Sequence, residues 1–421
     1  MNSRKKTLFQ NTILLYILTF SNQLLNLITI PYQTRILQPE FYGKIGYATA
    51  LMTYFQLFMD FGFILSATRE VALSKDNKKE LSKIFTAVTL CKIFLGLTLF
   101  VTITVIWGIK SNRNDDYVLI ILYFFVALTN TLLPDFMYRG LELMKTITYR
   151  SVGIKLFFTC MIFLVLKGKE DLYWIPILTI IGNVVSFLII YLHLKVYLHI
   201  SFCFTKLSYI RQMFTSSSSF FLSRIAATAY GAINTIILKI LYPTGNILGY
   251  YTSSDKIIIA ARSGFAPICD SMYPYMVKNK DYLLIKKLLF IVTPILVIGC
   301  LIVGIWAEDF CWLLFGPEFT EAALILRFLL PIIPIDFISY LIAFPVLAPL
   351  GKITQANFSN IIGAILQISL FFLLLILGKL SVITICIATC FTEISVCVYR
   401  VIVAFYAIKV LKSSKTERKI I

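Results

Sequence analysis

The chain places an arginine, Arg224, near the middle of Met213 to Leu241, a run otherwise long and apolar enough to cross a bilayer. About 20 apolar residues span the hydrocarbon core as a helix, and an arginine at its centre costs about 2.5 to 3.5 kcal/mol on insertion scales. A group that costly is expected to face a partner or a wet cavity. Helical spacing supports this: Ser217, Arg224, Thr228, Gly231 and Thr235 recur at sevens and fours, a polar stripe among Phe220, Phe221, Ile225, Ile236 and Ile237. The next apolar run is more charged still. Asp255, Arg262 and Asp270 share a helix face, and Glu393 and Arg400 share another by the same spacing of seven. Lys44, Asp60, Lys92, Asp135, Lys155, Arg327 and Asp336 are further charges within or near apolar runs. Once Arg35 and Arg69 are included, the set leans positive. A cationic lumen selects an anion, and the fixed fork of arginine donors suits phosphate oxygens. The carboxylates Asp60, Asp255 and Glu393 are candidates for coupling to an ion.

Enzyme chemistry finds little support. The chain has no phosphate-binding Gly-x-x-x-x-Gly-Lys-Ser/Thr loop, no Gly-x-Ser-x-Gly elbow and no zinc-type histidine pair. Its two histidines, His193 and His199, lie in one loop, and its nine cysteines include no Cys-x-x-Cys and mostly fall inside apolar runs, as small packing residues do. Neither a cofactor nor a metal is expected. The run Ser216 to Ser219 reads as helix entry rather than as a nucleophile.

The elements that must position these charges are membrane helices. With 59% hydrophobic and 14% charged residues, and apolar runs along its whole length, the chain reads as an all-α integral membrane protein. A β-barrel would alternate over about ten residues instead. The runs give about twelve spans, near 10–36, 42–66, 82–108, 117–138, 146–166, 172–192, 213–239, 247–268, 284–306, 322–350, 355–377 and 381–408. The first begins too early and runs too long for a cleaved secretory signal.

The net charge of +18 would point to nucleic acid in a soluble domain, but here the basic residues sit in short loops. With loops assigned alternately to two sides, one side holds only Arg35, Lys110, Arg113, Lys167, Lys169, Lys239 and Lys379. The other holds the clusters around Lys5, Lys79, Arg139 with Lys145 and Arg150, Arg211, Lys286 and Lys415. Positive loops stay in the cytoplasm, so both termini are expected there and the span count is expected to be even. The basic connection His193 to Arg211 divides the spans six and six, with expected domains at 1–200 and 201–421. Its Phe202, Phe204, Leu207 and Ile210 are compatible with a short helix on the membrane surface or with a plain linker. Ile36-Leu37-Gln38-Pro39 leading to Gly43 is echoed by Ile240-Leu241-Tyr242-Pro243 leading to Gly249, each after the first span of its half. An even count per half makes the halves parallel repeats: two six-helix bundles related by a pseudo-two-fold along the membrane normal.

Specific strings go further. Leu133-Pro134-Asp135-Phe136-Met137-Tyr138-Arg139-Gly140-Leu141-Glu142-Leu143-Met144, followed by Lys155, resembles the Pro-x-Trp-x-Phe-Gln-Gly-x-Glu-x-Met segment of O-antigen and capsular repeat-unit flippases. Those belong to the multidrug/oligosaccharidyl-lipid/polysaccharide exporter superfamily. Leu37-Gln38-Pro39-Glu40-Phe41-Tyr42-Gly43 is similar to the same family, as are Asp60-Phe61-Gly62-Phe63 leading to Arg69-Glu70 and Leu314-Phe315-Gly316-Pro317-Glu318-Phe319 leading to Arg327. The strings occur in order across both halves. Phe136 stands where the family usually has Trp, and Arg139 where it usually has Gln, which adds a cation.

The resemblance implies bundles that open to alternate sides, and a substrate of short oligosaccharide on undecaprenyl diphosphate crossing a bacterial inner membrane. It also implies membrane lipids, a polysaccharide polymerase and a chain-length regulator as partners. On this reading Arg224 and Arg262, helped by Arg35, Arg69, Lys44, Lys155 and Arg139, receive the diphosphate while the polyprenyl tail stays in lipid. A negative cell interior would favour outward passage by about 2.3 kcal/mol per charge per 100 mV. Two other classes stay open: a multidrug cation antiporter of the same superfamily, which would want an anionic cavity, and a membrane polysaccharide polymerase, which typically carries a large extracytoplasmic loop.

Overall fold

In the computed structural model, helices are described over residues 3–109 and 115–417. Side chains are described over 20–106 and 116–409, apart from positions 22, 23, 26, 219, 220, 222–224, 226–230, 266, 267, 270, 271 and 274. Among the described residues there is no strand, and every expected span meets a helix. Among the described residues, nine candidate spans are long and apolar enough to cross a membrane, and one of them, Leu27–Leu73, takes in the end of the first expected pass and all of the second. The chain is a multi-pass, all-α membrane protein.

The helices are α1 (Ser3–Asp60), α2 (Phe63–Leu73), α3 (Lys78–Ile109), α4 (Asp115–Leu132), α5 (Asp135–Gly140), α6 (Met144–Val165) and α7 (Trp174–Val196). They continue as α8 (Leu207–Leu241), α9 (Ile247–Asn279), α10 (Tyr282–Ile305), α11 (Ala307–Phe315), α12 (Ala322–Leu329), α13 (Ile332–Ile342), α14 (Ile353–Ile376) and α15 (Val382–Glu417). Within α1 the helix breaks at Gln38, whose φ is 61°. Pro39 is the cause: it lacks an N–H and drives the preceding residue out of the helical region. The second expected span ends early, at Asp60, where Gly62 with a φ of 80° supplies the left-handed residue that turns the chain into α2. The expected span 322–350 is two helices and a π turn, Ala343–Leu347, with Pro331 between the helices and Pro345 in the turn. Proline breaks the hydrogen-bond ladder at both places.

The chain divides into two compact units, 1–228 and 229–421, so the seam falls inside α8 and not in the loop that precedes it. In the first unit, Phe61 stacks on Phe214 and Phe221 of α8, and Ser66 shares a 2.6 Å hydrogen bond with Ser217. Phe63, Val71, Phe85, Phe136, Tyr138 and Leu194 form a closed apolar core around α5. Residues 201–206 form neither a surface helix nor a loose linker. Cys203 donates its backbone N–H to Thr86, and Phe202 packs on Phe85 and Tyr191, while Leu207 and Ile210 already belong to the first turns of α8.

In the second unit, Asn234 of α8 donates to Tyr251 and Thr389, and Gln367 donates to Asn234 and Thr389. Thr392 in turn donates to Gln367. This neutral buried network ties α8, α9, α14 and α15 into one register, since any slip would leave buried amides unpaired.

Candidate functional site

Each unit carries buried charge within its helices. In the first, Lys92 of α3 is 3% exposed, and a bare ammonium at such depth would be prohibitive. Three groups share its charge: the Asp60 carboxylate at 3.3 Å, the Thr131 carbonyl at 2.7 Å and the Phe136 ring at 5.5 Å from its centroid. The break at Phe61-Gly62 and the start of α5 thus bring two of the family-like strings onto one cation. Nearby on the same string, Asp135 accepts from Arg150 of α6 at 3.1 Å. Tyr138 shares a 2.9 Å hydrogen bond with Nδ1 of His193. Lys44 stands 4.0 Å from Asp116 and 4.8 Å from the Phe41 ring centroid.

In the second unit, Arg262 of α9 bridges two carboxylates. Its Nε donates to Asp336 of α13 and its Nη2 to Glu393 of α15 at 3.1 Å. Both acids are buried, whereas the Arg262 side chain keeps a third of its surface exposed. One guanidinium between two carboxylates leaves one negative charge in surplus when both are ionised. Two turns along α15, Arg400 is satisfied without an acid: Nε donates to Ser359, Nη1 to Ser339 and Nη2 to Asn360, at 2.7 to 2.8 Å.

The sequence-derived residues therefore scatter over distinct settings. Arg262 and Glu393 meet directly. Asp255 lies two turns before Arg262 on α9, half-buried. Asp60 is joined to Lys92. Arg69 on α2 and Arg139 on α5 are exposed and have no ion-pair partner among the described residues. Arg35 is exposed one turn before the break at Gln38, and Lys155 lies half-buried on α6. The side chains of Arg224 and Asp270 lie outside the described residues. Four residues that matter geometrically were not among the expected site residues: Lys92, Arg150, Asp336 and Arg400. Their signal in the sequence was charge inside or beside an apolar run, except for Arg150, which read as a loop cation.

The architecture has known counterparts. An inward-facing multidrug resistance transporter of the MATE family matches with a TM-score of 0.71 at 14% identity, over 93% of this chain and 95% of that one. The lipid II flippase MurJ, in an inward closed conformation, matches at 0.70 with 12% identity, over 93% and 87%. At such identity the likeness is one of fold alone. In sequence, the chain is 28% identical over 342 residues to a protein of Escherichia coli (strain K12) named "Putative O-antigen transporter", covering 79% of this chain and 81% of that protein. The family described as "Polysaccharide biosynthesis protein" matches residues 8–280. With a match over more than half of its length, running through the Asp60 and Asp135 strings and the helices α8 and α9, the chain belongs to the polysaccharide biosynthesis protein family.

Proposed function

We propose that the protein is a flippase that moves undecaprenyl-diphosphate-linked oligosaccharide repeat units from the cytoplasmic to the outer leaflet of a bacterial inner membrane. It is not an enzyme on this reading, and both termini lie in the cytoplasm. The observation that carries it is buried or half-buried cation inside membrane helices of both units, at Lys92, Arg150, Arg262 and Arg400. Intramembrane charge is costly and is kept where a polar substrate or ion must pass. Family membership and the name of the Escherichia coli relative support a lipid-linked glycan as that substrate.

The headgroup is the part that cannot cross lipid unaided. Fixed donors from Arg224, Arg35, Arg69, Lys44, Lys155 and Arg139 replace its hydration, and alternating access exchanges the open side. Arg262 plays a second part. Protonation of Asp336 or Glu393 would release one edge of its guanidinium to a phosphate, so a proton entering this cluster would be coupled to substrate capture; Asp60 and Asp255 are further candidates for such coupling.

A strain lacking the protein is expected to lose surface polysaccharide and to accumulate lipid-linked repeats on the cytoplasmic leaflet. Single repeats already transferred to the outer surface would point to a polymerase instead. In the complemented strain, Arg224→Ala is expected to abolish surface polysaccharide while the protein remains in the membrane, and wild-type polymer from that variant would remove Arg224 from the mechanism. Arg69→Gln and Arg139→Gln are expected to lower export without lowering the melting temperature.

A further inference from the structure

Arg150 is treated unlike any other buried cation described in the chain. Its side chain is 5% exposed. Both of its hydrogen bonds leave from Nη2, to Asp135 Oδ1 at 3.1 Å and to Ser151 Oγ at 3.0 Å. Nε and Nη1 are buried and have no hydrogen-bond partner among the described residues. A guanidinium carries five N–H donors in a rigid plane, and those two nitrogens hold three of them. Leaving a buried donor unpaired costs about 1 to 3 kcal/mol, more when it is charged. The fold can avoid such a cost, since Arg400 engages all three of its nitrogens.

We infer that Arg150 is an oxyanion subsite of the N-terminal unit, completed by a phosphate group that takes the place of Asp135 on Nη2 and supplies the acceptor its Nε lacks. The local geometry fits an exchange. Asp135 uses one oxygen, on one nitrogen, and its own side chain is 29% exposed, so its carboxylate can turn out to solvent and be rehydrated. A tetrahedral phosphate taking its place could span the Nε–Nη2 edge with two parallel bonds, the arrangement arginine favours with phosphate. Met144–Val165 begins only two turns before Arg150, which puts the subsite at the same end of the unit as Arg139 and Lys145. A diphosphate arriving from that side would meet exposed Arg139 first and buried Arg150 next. The inference rests on the flippase reading for its substrate, but the chemistry it names is the phosphate alone.

The test uses full-length protein in detergent, as wild type, Arg150→Gln, Arg150→Lys, Asp135→Asn and the double variant Arg150→Gln/Asp135→Asn. Each is titrated with farnesyl diphosphate, farnesol and inorganic pyrophosphate, and its melting temperature is recorded. Arg150→Gln is expected to weaken farnesyl diphosphate binding by about tenfold or more, the equivalent of one charge-assisted hydrogen bond. Arg150→Lys, which keeps the charge but loses the fork, is expected to fall between it and wild type, and Asp135→Asn to bind more tightly than wild type. Farnesol binding is expected to stay unchanged throughout. Pyrophosphate binding with the same dependence on Arg150 would identify free phosphate as a ligand, whereas its failure to bind would assign the site to the lipid headgroup; either result supports the subsite.

Equal diphosphate affinity in wild type and Arg150→Gln would overturn it. So would a structural pattern in which Arg150→Gln and Asp135→Asn lose stability alike and the double variant recovers. Should Arg150→Gln fail to fold, the order Asp135→Asn, wild type, Arg150→Lys decides in its place. Failure of wild type to restore surface polysaccharide in the deletion strain would sink the flippase reading while leaving this affinity in place. Restored export by wild type and Arg150→Gln alike, with unchanged affinity, would sink the subsite alone.

Discussion

The two units bury arginine to similar depth and treat it in opposite ways. Arg400, in the second unit, gives each nitrogen to a neutral acceptor and is locked to α13 and α14 through Ser339, Ser359 and Asn360. Arg150, in the first, engages one nitrogen of three. The acids differ in the same sense. Arg262 faces two buried carboxylates, while Lys92 has one, Asp60, which keeps some contact with solvent. Arg400 of the second unit is therefore saturated and Arg150 of the first is undersupplied. Saturation fixes geometry, because a fully paired buried network is lost only as a whole; undersupply leaves donors for something that arrives. On the proposed reading, Arg150 is the buried arginine with donors left for a substrate's anionic group, and the Arg262 cluster is the one with a surplus acid that can take up a proton.

The largest effect that would test this division is at Arg262. Arg262→Gln leaves Asp336 and Glu393 buried without a counter-charge, and breaking a buried pair in this way costs about 3 to 5 kcal/mol. A marked fall in melting temperature in detergent is expected, with partial recovery in Arg262→Gln/Asp336→Asn. An unchanged melting temperature would mean that the second unit is not held by this cluster.

Arg400→Met comes next. It removes a charged donor from the oxygens of Ser339, Ser359 and Asn360 and leaves them unpaired, at about 1 to 3 kcal/mol. The matched change in the first unit, Arg150→Met, removes donors that are themselves unpaired and leaves an acid that can reach water. Its melting temperature is expected to hold or rise while diphosphate affinity falls. If both changes cost the same stability, the contrast between saturated and undersupplied arginine is lost.

The spans were legible in the sequence because apolar length is nearly a sufficient signal in a membrane, and Pro39 announced the break at Gln38. Shared faces were legible too: Glu393 and Arg400 do both turn into the second unit's interior. Partners were not. Spacing along α9 says which way Arg262 points relative to Asp255, and nothing about which helix it meets; Asp336 and Glu393 are 74 and 131 residues away. The saturation of Arg262 was therefore hidden, and with it the surplus of acid around a residue expected to be free for substrate. Arg150 was hidden for another reason. Counting loop charges treats a cation near a span end as solvated, but α6 begins at Met144 and carries Arg150 inward beside Asp135. The proline-bearing stretch 322–350 read as one span because hydropathy is blind to the bends at Pro331 and Pro345.

Packing sets effects no larger than these, and the same two units can be compared at a glycine each. A methyl group added at Gly140 would lie 2.5 and 2.6 Å from two carbons of Val71 and 2.9 Å from the Thr68 carbonyl oxygen. Val71 is fully buried and Thr68 offers backbone, so neither yields without moving α2 against α5, the helix that carries the Asp135 string. Gly140→Ala is expected to cost about 1 to 3 kcal/mol, as overpacking does. At Gly363 the closest contact is one methyl carbon of Val396, at 2.8 Å, with Thr392 at an ordinary 3.7 Å. A small turn of one side chain relieves it, so Gly363→Ala is expected to lower the melting temperature less than Gly140→Ala. Because α5 holds Phe136 under Lys92 and Asp135 against Arg150, Gly140→Ala is also expected to weaken diphosphate binding, whereas Gly363→Ala leaves it alone. Equal losses of affinity in the two variants would mean that the close approach of α2 and α5 does not position the first unit's cations, and that their undersupply has no bearing on what the protein binds.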